Sequence, residues 1–257
     1  MFTRRTILQS RGRCALYEPQ LPLVLSGTLK WRVRGDLGVT LNGPAVSAWT
    51  DQSGNAFNLT QGTAANQPTW LGSQAKGRQA LTFDHTNDRL QPTGANVGSA
   101  WVFAHDGTGV TIFGAGNFTA DGTICGTAQG PTTDVGIIVD TTSGLLRFRA
   151  CDANAAGANV LLQTTSFVGN HYFAVTYASA STPDAAVYID GVAVGTVNQT
   201  RSASTADATF GMNVGTSGNG ANPIGADIAE LLIYSGELST ADRQAVEGYL
   251  RRRYRIY

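Results

Sequence analysis

The chain has 257 residues, of which 14% are charged and 31 are glycine. That composition argues against disorder and leaves room for one large domain rich in tight turns, or two small ones. Eighteen basic and eighteen acidic residues cancel overall, but the stretch before Gly35 carries an excess of six positive charges and the stretch from Arg243 an excess of four. A mildly acidic body with basic ends speaks against a nucleic-acid-binding face and for termini that dock onto a neighbour.

In chain order, residues 1–28 read as an extended arm, because Pro19 and Pro22 forbid a helix. Its apolar stretch Leu21-Pro-Leu-Val-Leu calls for cover, either from its own domain or from a neighbouring subunit. The start has basic residues but lacks the apolar core of a signal peptide, and no apolar run is long enough to span a membrane. Strands are expected from Leu29 onward, including Ala45–Thr50, Phe57–Gln61, Pro68–Leu71 and Arg78–Asp84, with turns at Asp51–Asn55 and His85–Asp88. Further strands are expected at Ala100–Ala104, Val110–Gly114, Val135–Val139, Leu145–Ala150, Val160–Thr164 and His171–Tyr177. Two apolar runs flanking Asp190-Gly191 predict a hairpin with a two-residue turn and positive φ at both centres. A strand at Phe210–Val214 and a Gly/Asn-rich loop at 215–225 follow. Ile228–Tyr234 reads as a strand covered on both faces. A helix is predicted over 239–254, with Ser239 and Asp242 as a capping-box-like pair and Arg251, Arg252 and Arg253 at its positive-favouring end. Trp31 and Trp49 fall at core positions of alternating strands. Cys14, Cys125 and Cys151 have no metal-ligand spacing, and a Cys125–Cys151 bridge stays open.

Several phrases together resemble one family. Trp49-Thr-Asp-Gln-Ser-Gly-Asn-Ala-Phe-Asn-Leu-Thr-Gln, Gln67-Pro-Thr-Trp and Ala80-Leu-Thr-Phe-Asp-His-Thr-Asn-Asp-Arg-Leu are similar to the first half of laminin-G-like (concanavalin A-like) jelly-roll domains. Val187-Tyr-Ile-Asp-Gly, Ile228-Ala-Glu-Leu-Leu-Ile-Tyr, Leu238-Ser and Glu247-Gly-Tyr-Leu resemble the second half. Such domains occur in bacterial surface proteins and bacteriophage virion proteins. The resemblance covers residues 29–257. It implies an all-β fold: a two-sheet antiparallel jelly-roll sandwich, here with a C-terminal α-helix and the extended N-terminal arm. It also implies a glycan- or protein-binding role. Relatives usually have glycine where this chain has His85, so that turn is expected to be built differently.

Chemistry-bearing residues are sparse. Glycoside hydrolases of this fold place carboxylates on one strand face, whereas the nearest acidic pair here, Asp227 and Glu230, is three apart and expected to face opposite ways. His171 with Tyr172, or His105, could serve a lyase, but an isolated histidine in a β protein is more often structural. Asp51, Ser53 and Asn55 present oxygens at alternate positions, as calcium loops do, with an Asx turn as the plainer reading. No other cofactor is expected. Trp70, Trp101 and Tyr172 are candidate stacking surfaces for sugar rings. Arg4, Arg5, Arg11, Arg13, Arg251, Arg252 and Arg253 are candidate assembly contacts. These features lead to an expected non-enzymatic virion structural protein, a head decoration or a tail-fibre and adhesion component. Its expected partners are neighbouring virion proteins, further copies of itself and a cell-surface glycan, with no nucleic acid and no membrane. The alternative is a secreted or cell-surface glycan-binding module, and a carbohydrate-active enzyme ranks last.

Overall fold

The computed structural model describes residues 19–256 apart from 75–77, 130–133, 153–158, 163–165, 179–180, 182 and 198–203. Its first strands are β1 (Thr28–Arg34), β2 (Val39–Asn42), β3 (Ala45–Trp49), β4 (Leu59–Thr60), β5 (Thr69–Gln74), β6 (Arg78–Asp84) and β7 (Gln91–Pro92). The middle of the chain supplies β8 (Val110–Ala120), β9 (Gly122–Gly126), β10 (Val135–Thr142), β11 (Leu145–Asp152), β12 (Asn159–Leu162) and β13 (Gly169–Tyr177). The last elements are β14 (Ala185–Ile189), β15 (Val192–Val197), β16 (Asn213–Val214), β17 (Gly225–Ser235) and α1 (Thr240–Tyr254).

These strands form an all-β antiparallel sandwich of two sheets with one C-terminal helix. The larger sheet runs β15-β14-β13-β8-β17-β6-β5-β3-β4-β7, and the smaller runs β12-β11-β10-β9-β16. Strand β17 lies at the centre. One of its edges pairs with β8 along its length, while the other pairs first with β6 (Ile228↔Leu81) and then with β1 (Leu232↔Arg32). Between the sheets lies a core containing Trp31, Trp49 and Trp101, all fully buried, with Trp31 and Trp101 meeting edge to face at 6.1 Å. The outer face of the larger sheet carries a second cluster, in which Phe113, Ala229, Leu232 and Tyr234 pack under Val246, Tyr249 and Leu250 of α1. Strand β17 is therefore buried on both faces, which explains its continuous apolar run.

Local chemistry accounts for the main turns. Asp190 and Gly191 both take positive φ (51° and 82°), as a two-residue turn between twisted strands requires. His85 adopts φ 65°, so it occupies the left-handed conformation that favours glycine. At the helix start, Ser239 Oγ accepts from the Asp242 amide at 3.2 Å, forming half of a capping box. The other half does not form. Asp242 instead accepts from Ser26 Oγ at 2.5 Å and from the Ser26 amide at 2.9 Å, fastening the arm to the helix. Leu21 and Val24 pack onto the same cluster as α1, so residues 19–27 lie against their own domain.

Two expectations are corrected and one open question is closed. Residues 98–104 form a 3-10 helix, not a strand. Within it, Trp101 and Ala104 are buried three residues apart, the period of that helix, and Trp101 Nε1 donates to Asn96 Oδ1 at 2.8 Å. Cys125 and Cys151, whose bridge the spacing left open, are not bonded to each other but buried in separate clusters, and burial pushes the Cys125 thiol up to about 12. Asp227 and Glu230 share one face of β17. Ile228 opposes Gly116 and Glu230 opposes Ala115, so Ala229 is an extra residue in the ladder. That bulge resets the alternation, and both carboxylates face the helix side. Period-two reasoning holds only where no bulge intervenes.

Candidate functional site

Two groups of aromatic, arginine and carboxylate side chains lie at opposite ends of one ionic chain. The first is the clamp beneath α1. Glu230 is fully buried and accepts from Arg32 Nε at 2.8 Å, from Tyr249 OH at 2.9 Å and from Tyr254 OH at 2.8 Å. Arg253 Nε lies 3.6 Å from the same carboxylate. Burial pushes the Glu230 carboxyl above its ordinary range, opposed by Arg32 and the two phenols. Burial and the nearby Glu230 charge also push the Tyr249 and Tyr254 hydroxyls up, keeping them neutral donors. The carboxylate, both phenols and the Arg32 guanidinium thus meet partners, which is the condition for tolerating buried charge.

The second group is a cleft at the turn between β1 and β2. Gly35, Asp36, Leu37, Gly38, Val39, Leu41 and Trp70 line a shallow cleft of about 180 Å³ that opens to solvent, smaller than the roughly 300–1,000 Å³ usual for sites that enclose a small ligand. Local sequence explains its shape. Gly38 takes φ 74°, turning the chain sharply, and a Cβ on Gly35 would stand 2.4 Å from the Gln79 carbonyl oxygen. Trp49 Nε1 donates to the Arg34 carbonyl at 2.7 Å and Trp70 Nε1 to the Gly35 carbonyl at 2.8 Å, so two indoles hold consecutive peptide units. Trp70 is half-buried, and Leu37 and Leu41 are 46% and 45% exposed, leaving the cleft an apolar, solvent-facing wall. Asp36 is its charged member. Arg34 grips it through two bonds of 3.0 Å, and Arg253 Nη2 adds one at 2.5 Å. Through Asp36 and Arg253 the cleft is wired to the clamp.

The other candidate residues are distributed differently. Trp101 is fully buried in the core and Tyr172 is 4% exposed beneath the helix, so neither offers a ring face to a ligand. Of the three proposed stacking aromatics, Trp70 alone keeps accessible surface. His171 and Tyr172, as neighbours on β13, point to opposite faces and do not converge on a shared point. His105 is buried, with Nε2 against the Ala206 carbonyl at 2.9 Å, and burial lowers its pKa. Both carboxylate oxygens of Asp51 are engaged. Oδ1 accepts from the Arg32 and Ser53 amides, and Oδ2 from Ser53 Oγ and the Phe57 amide. Asn55 Nδ2 donates to the Lys30 carbonyl at 2.9 Å. This is an Asx turn, in which a cation would have to displace four hydrogen bonds on Asp51. Among the described residues no group of three or more His, Cys, Asp or Glu side chains is arranged to hold a metal.

Arg4, Arg5, Arg11 and Arg13 lie outside the described residues. Arg251 and Arg252 are exposed on α1. Arg253 is 1% exposed and is corrected from assembly contact to internal tie, because helical spacing turns it toward Asp36 and Glu230. The residues that reasoning from sequence missed are Asp36, Leu37 and Leu41. Their signal was the Gly35-Asp-Leu-Gly turn, which reads as an ordinary connection until Trp70 arrives beside it.

No family model and no curated protein matches the sequence. Solved structures do match it in fold. One is domain 4 of AbnA, a GH43 extracellular arabinanase from Geobacillus stearothermophilus, in complex with arabinotriose, at TM-score 0.57 and 13% identity over 88% of this chain and 100% of that one. Another is the binding domain of botulinum neurotoxin DC in complex with SialylT, at TM-score 0.54 and 12% identity over 87% of this chain and 52% of that one. A third is an arabinofuranosidase complexed with arabinofuranosyl-alpha-1,2-xylobiose, at TM-score 0.55 and 11% identity over 80% of this chain and 50% of that one. The chain thus spans about half the length of the toxin and arabinofuranosidase chains and all of the arabinanase domain. Identities this low establish the shared β-sandwich. Among the described residues no helix is long and apolar enough to cross a membrane.

Proposed function

We propose that this protein is a glycan-binding β-sandwich module, without catalysis of its own, that contacts its ligand through the Trp70 cleft. The observation that carries the reading is the placement of Trp70. It is the one candidate aromatic with accessible surface, rigidly held, and it lines the cleft beside Leu37, Leu41 and a carboxylate fixed by two arginines. A flat apolar ring suits the apolar face of a sugar, and fixed polar groups at the margin supply orientation. The sugars in complex with the fold neighbours, arabinotriose and arabinofuranosyl-alpha-1,2-xylobiose among them, support a sugar as the ligand class. The engagement of Glu230 in the clamp, and of Asp227 by Thr82 at 2.5 Å and Asn117 at 3.4 Å, supports binding without hydrolysis. The test is a glycan array followed by calorimetry. Saturable binding that is lost in Trp70→Ala and kept in Tyr172→Phe supports the reading. A blank array, or binding indifferent to Trp70→Ala, overturns it.

A second, compatible reading makes the module a virion structural protein, a head decoration or a tail-fibre component docked through its basic termini. It draws on the sequence resemblance and on one surface. Leu23 and Leu25 are 82% and 83% exposed on the arm that Asp242 ties to the start of α1, and Arg251 and Arg252 are exposed on that helix. Deleting residues 2–26 should then abolish incorporation into particles or oligomers while the sandwich stays folded. Normal assembly by the truncated protein would exclude this reading.

A further inference from the structure

Far from the cleft, at one end of the sandwich, His171 ties together two segments that are distant in sequence. Its Nδ1 lies 2.8 Å from Asp190 Oδ2 in the β14–β15 turn. Its Nε2 lies 3.3 Å from the Val168 carbonyl, in the segment leading into β13. Both partners are acceptors, and neutral imidazole carries only one N–H. The imidazolium alone satisfies the two contacts together; either neutral tautomer sets a ring lone pair against an oxygen. The turn is fixed from its other side as well, because Asp190 Oδ1 accepts from the Tyr172 amide at 3.1 Å and the Asp190 amide donates to the Tyr172 carbonyl at 2.9 Å. The imidazole also stacks on Phe167 at 5.3 Å and 20°. Phe167 in turn is 1% exposed and lies 4.4 Å, centroid to centroid, from Phe118.

We propose that His171 is a protonation-controlled clasp, closed as imidazolium between Asp190 and Val168 and loosened as neutral imidazole, so that the seating of Phe167 at the sandwich end responds to pH.

The charged groups around it set the direction. Asp190 is the acid in contact. From β8, the strand facing β13, the register partners Gly116 and Asn117 are uncharged. Asp121, at the β8–β9 turn, lines a small cavity beside Phe167 and Val168, and its Oδ1 accepts from the Gly144 amide at 3.0 Å. Glu247 and Arg251 of α1 act on Tyr172, across the sheet from the imidazole. The Asp190 hydrogen bond and charge raise the His171 pKa above 6.5, against the opposing effect of burial. A histidine raised in the folded state contributes stability that is fully present below its unfolded pKa and lost as pH rises through the folded one. Neutralisation leaves Nδ1–H on Asp190 and sacrifices the longer bond, to Val168. Residues 166–168 therefore loosen first.

The test is an NMR titration of the His171 ring in the full-length protein, with resonances assigned by His171→Gln and repeated in Asp190→Asn. The clasp predicts a midpoint above 6.5 that falls in Asp190→Asn. It also predicts that the Val168 and Phe167 resonances shift with the same midpoint, while those of Ile112 in the core do not. Thermal unfolding gives a second readout: the melting temperature of the wild type should exceed that of His171→Gln at pH 6, and the gap should close by pH 9. A midpoint at or below 6.5, or a gap independent of pH, overturns the proposal. If His171→Gln does not fold, the wild-type and Asp190→Asn titrations decide it alone.

Discussion

The clamp under the helix and the cleft beside Trp70 are built from the same side-chain types, yet they do opposite things. In the clamp, Arg32, Arg253, Tyr249 and Tyr254 surround a carboxylate with no exposed surface, and the hydrogen-bonding capacity is turned inward. In the cleft, Trp70, Leu37 and Leu41 keep accessible surface beside Asp36, whose side chain remains 20% exposed. One group holds the molecule together and the other is available to a ligand. Residue type alone does not separate them; burial does. Asp36, shared through Arg253, is the point where structure and site meet.

The largest effect should come from breaking the clamp. Glu230→Ala leaves the part-buried Arg32 without its carboxylate, Arg253 with Asp36 alone and two buried phenols without their acceptor, and should cost about 3–5 kcal/mol, read as a lower denaturant midpoint with loss of helical signal. Opening the cleft should act on binding instead. Trp70→Ala is expected to weaken glycan affinity at least tenfold, about 1.4 kcal/mol, with a far smaller change in stability, measured by calorimetry beside thermal melting. If Trp70→Ala unfolds the protein as readily as Glu230→Ala does, the contrast between the two regions collapses. Ser239→Ala removes the cap from the helix that closes the clamp and should cost about 1 kcal/mol, visible in urea unfolding.

A smaller effect has the opposite sign. Burial and the neighbouring charge of Asp84 raise the pKa of Asp88 to about 6. The folded state therefore holds this proton longer than the unfolded chain, and the ionised carboxylate costs stability above about 6, a cost that disappears below the unfolded value of 3.8. Asp88→Asn, whose amide oxygen can still accept from the Asp84 amide, should melt higher than wild type at pH 7.5 and no higher at pH 3.5. Least of all, Arg251→Gln with Arg252→Gln should move stability by no more than about 0.5 kcal/mol, since both side chains are exposed. That contrasts with Arg253→Gln next to them, which should be costly.

Much of the architecture was legible because it rests on local chemistry. The Asp190-Gly191 turn, the Ser239 cap, the doubly covered β17 and the core positions of Trp31 and Trp49 each follow from spacing and residue type. What stayed hidden depends on distant partners. The bulge at Ala229 is set by β17 pairing with β8, and it moved Glu230 onto the face of Asp227. Residues 98–104 have strand-like composition, yet Asn96 holds Trp101 in a 3-10 turn. Trp70 and Trp101 look equally plausible as stacking rings in sequence. One is sealed by Trp31, Phe57 and Phe103, and the other lines the cleft beside the chain between β1 and β2. No pattern within a window of ten residues carries that difference.

The cleft is most directly tested by the indole N–H resonances of the four tryptophans, followed while a glycan that binds on the array is titrated in. Trp31, Trp49 and Trp101 are fully buried and serve as internal controls. The account predicts that the Trp70 resonance shifts saturably while the other three hold still. Saturable binding that leaves Trp70 unmoved would contradict it.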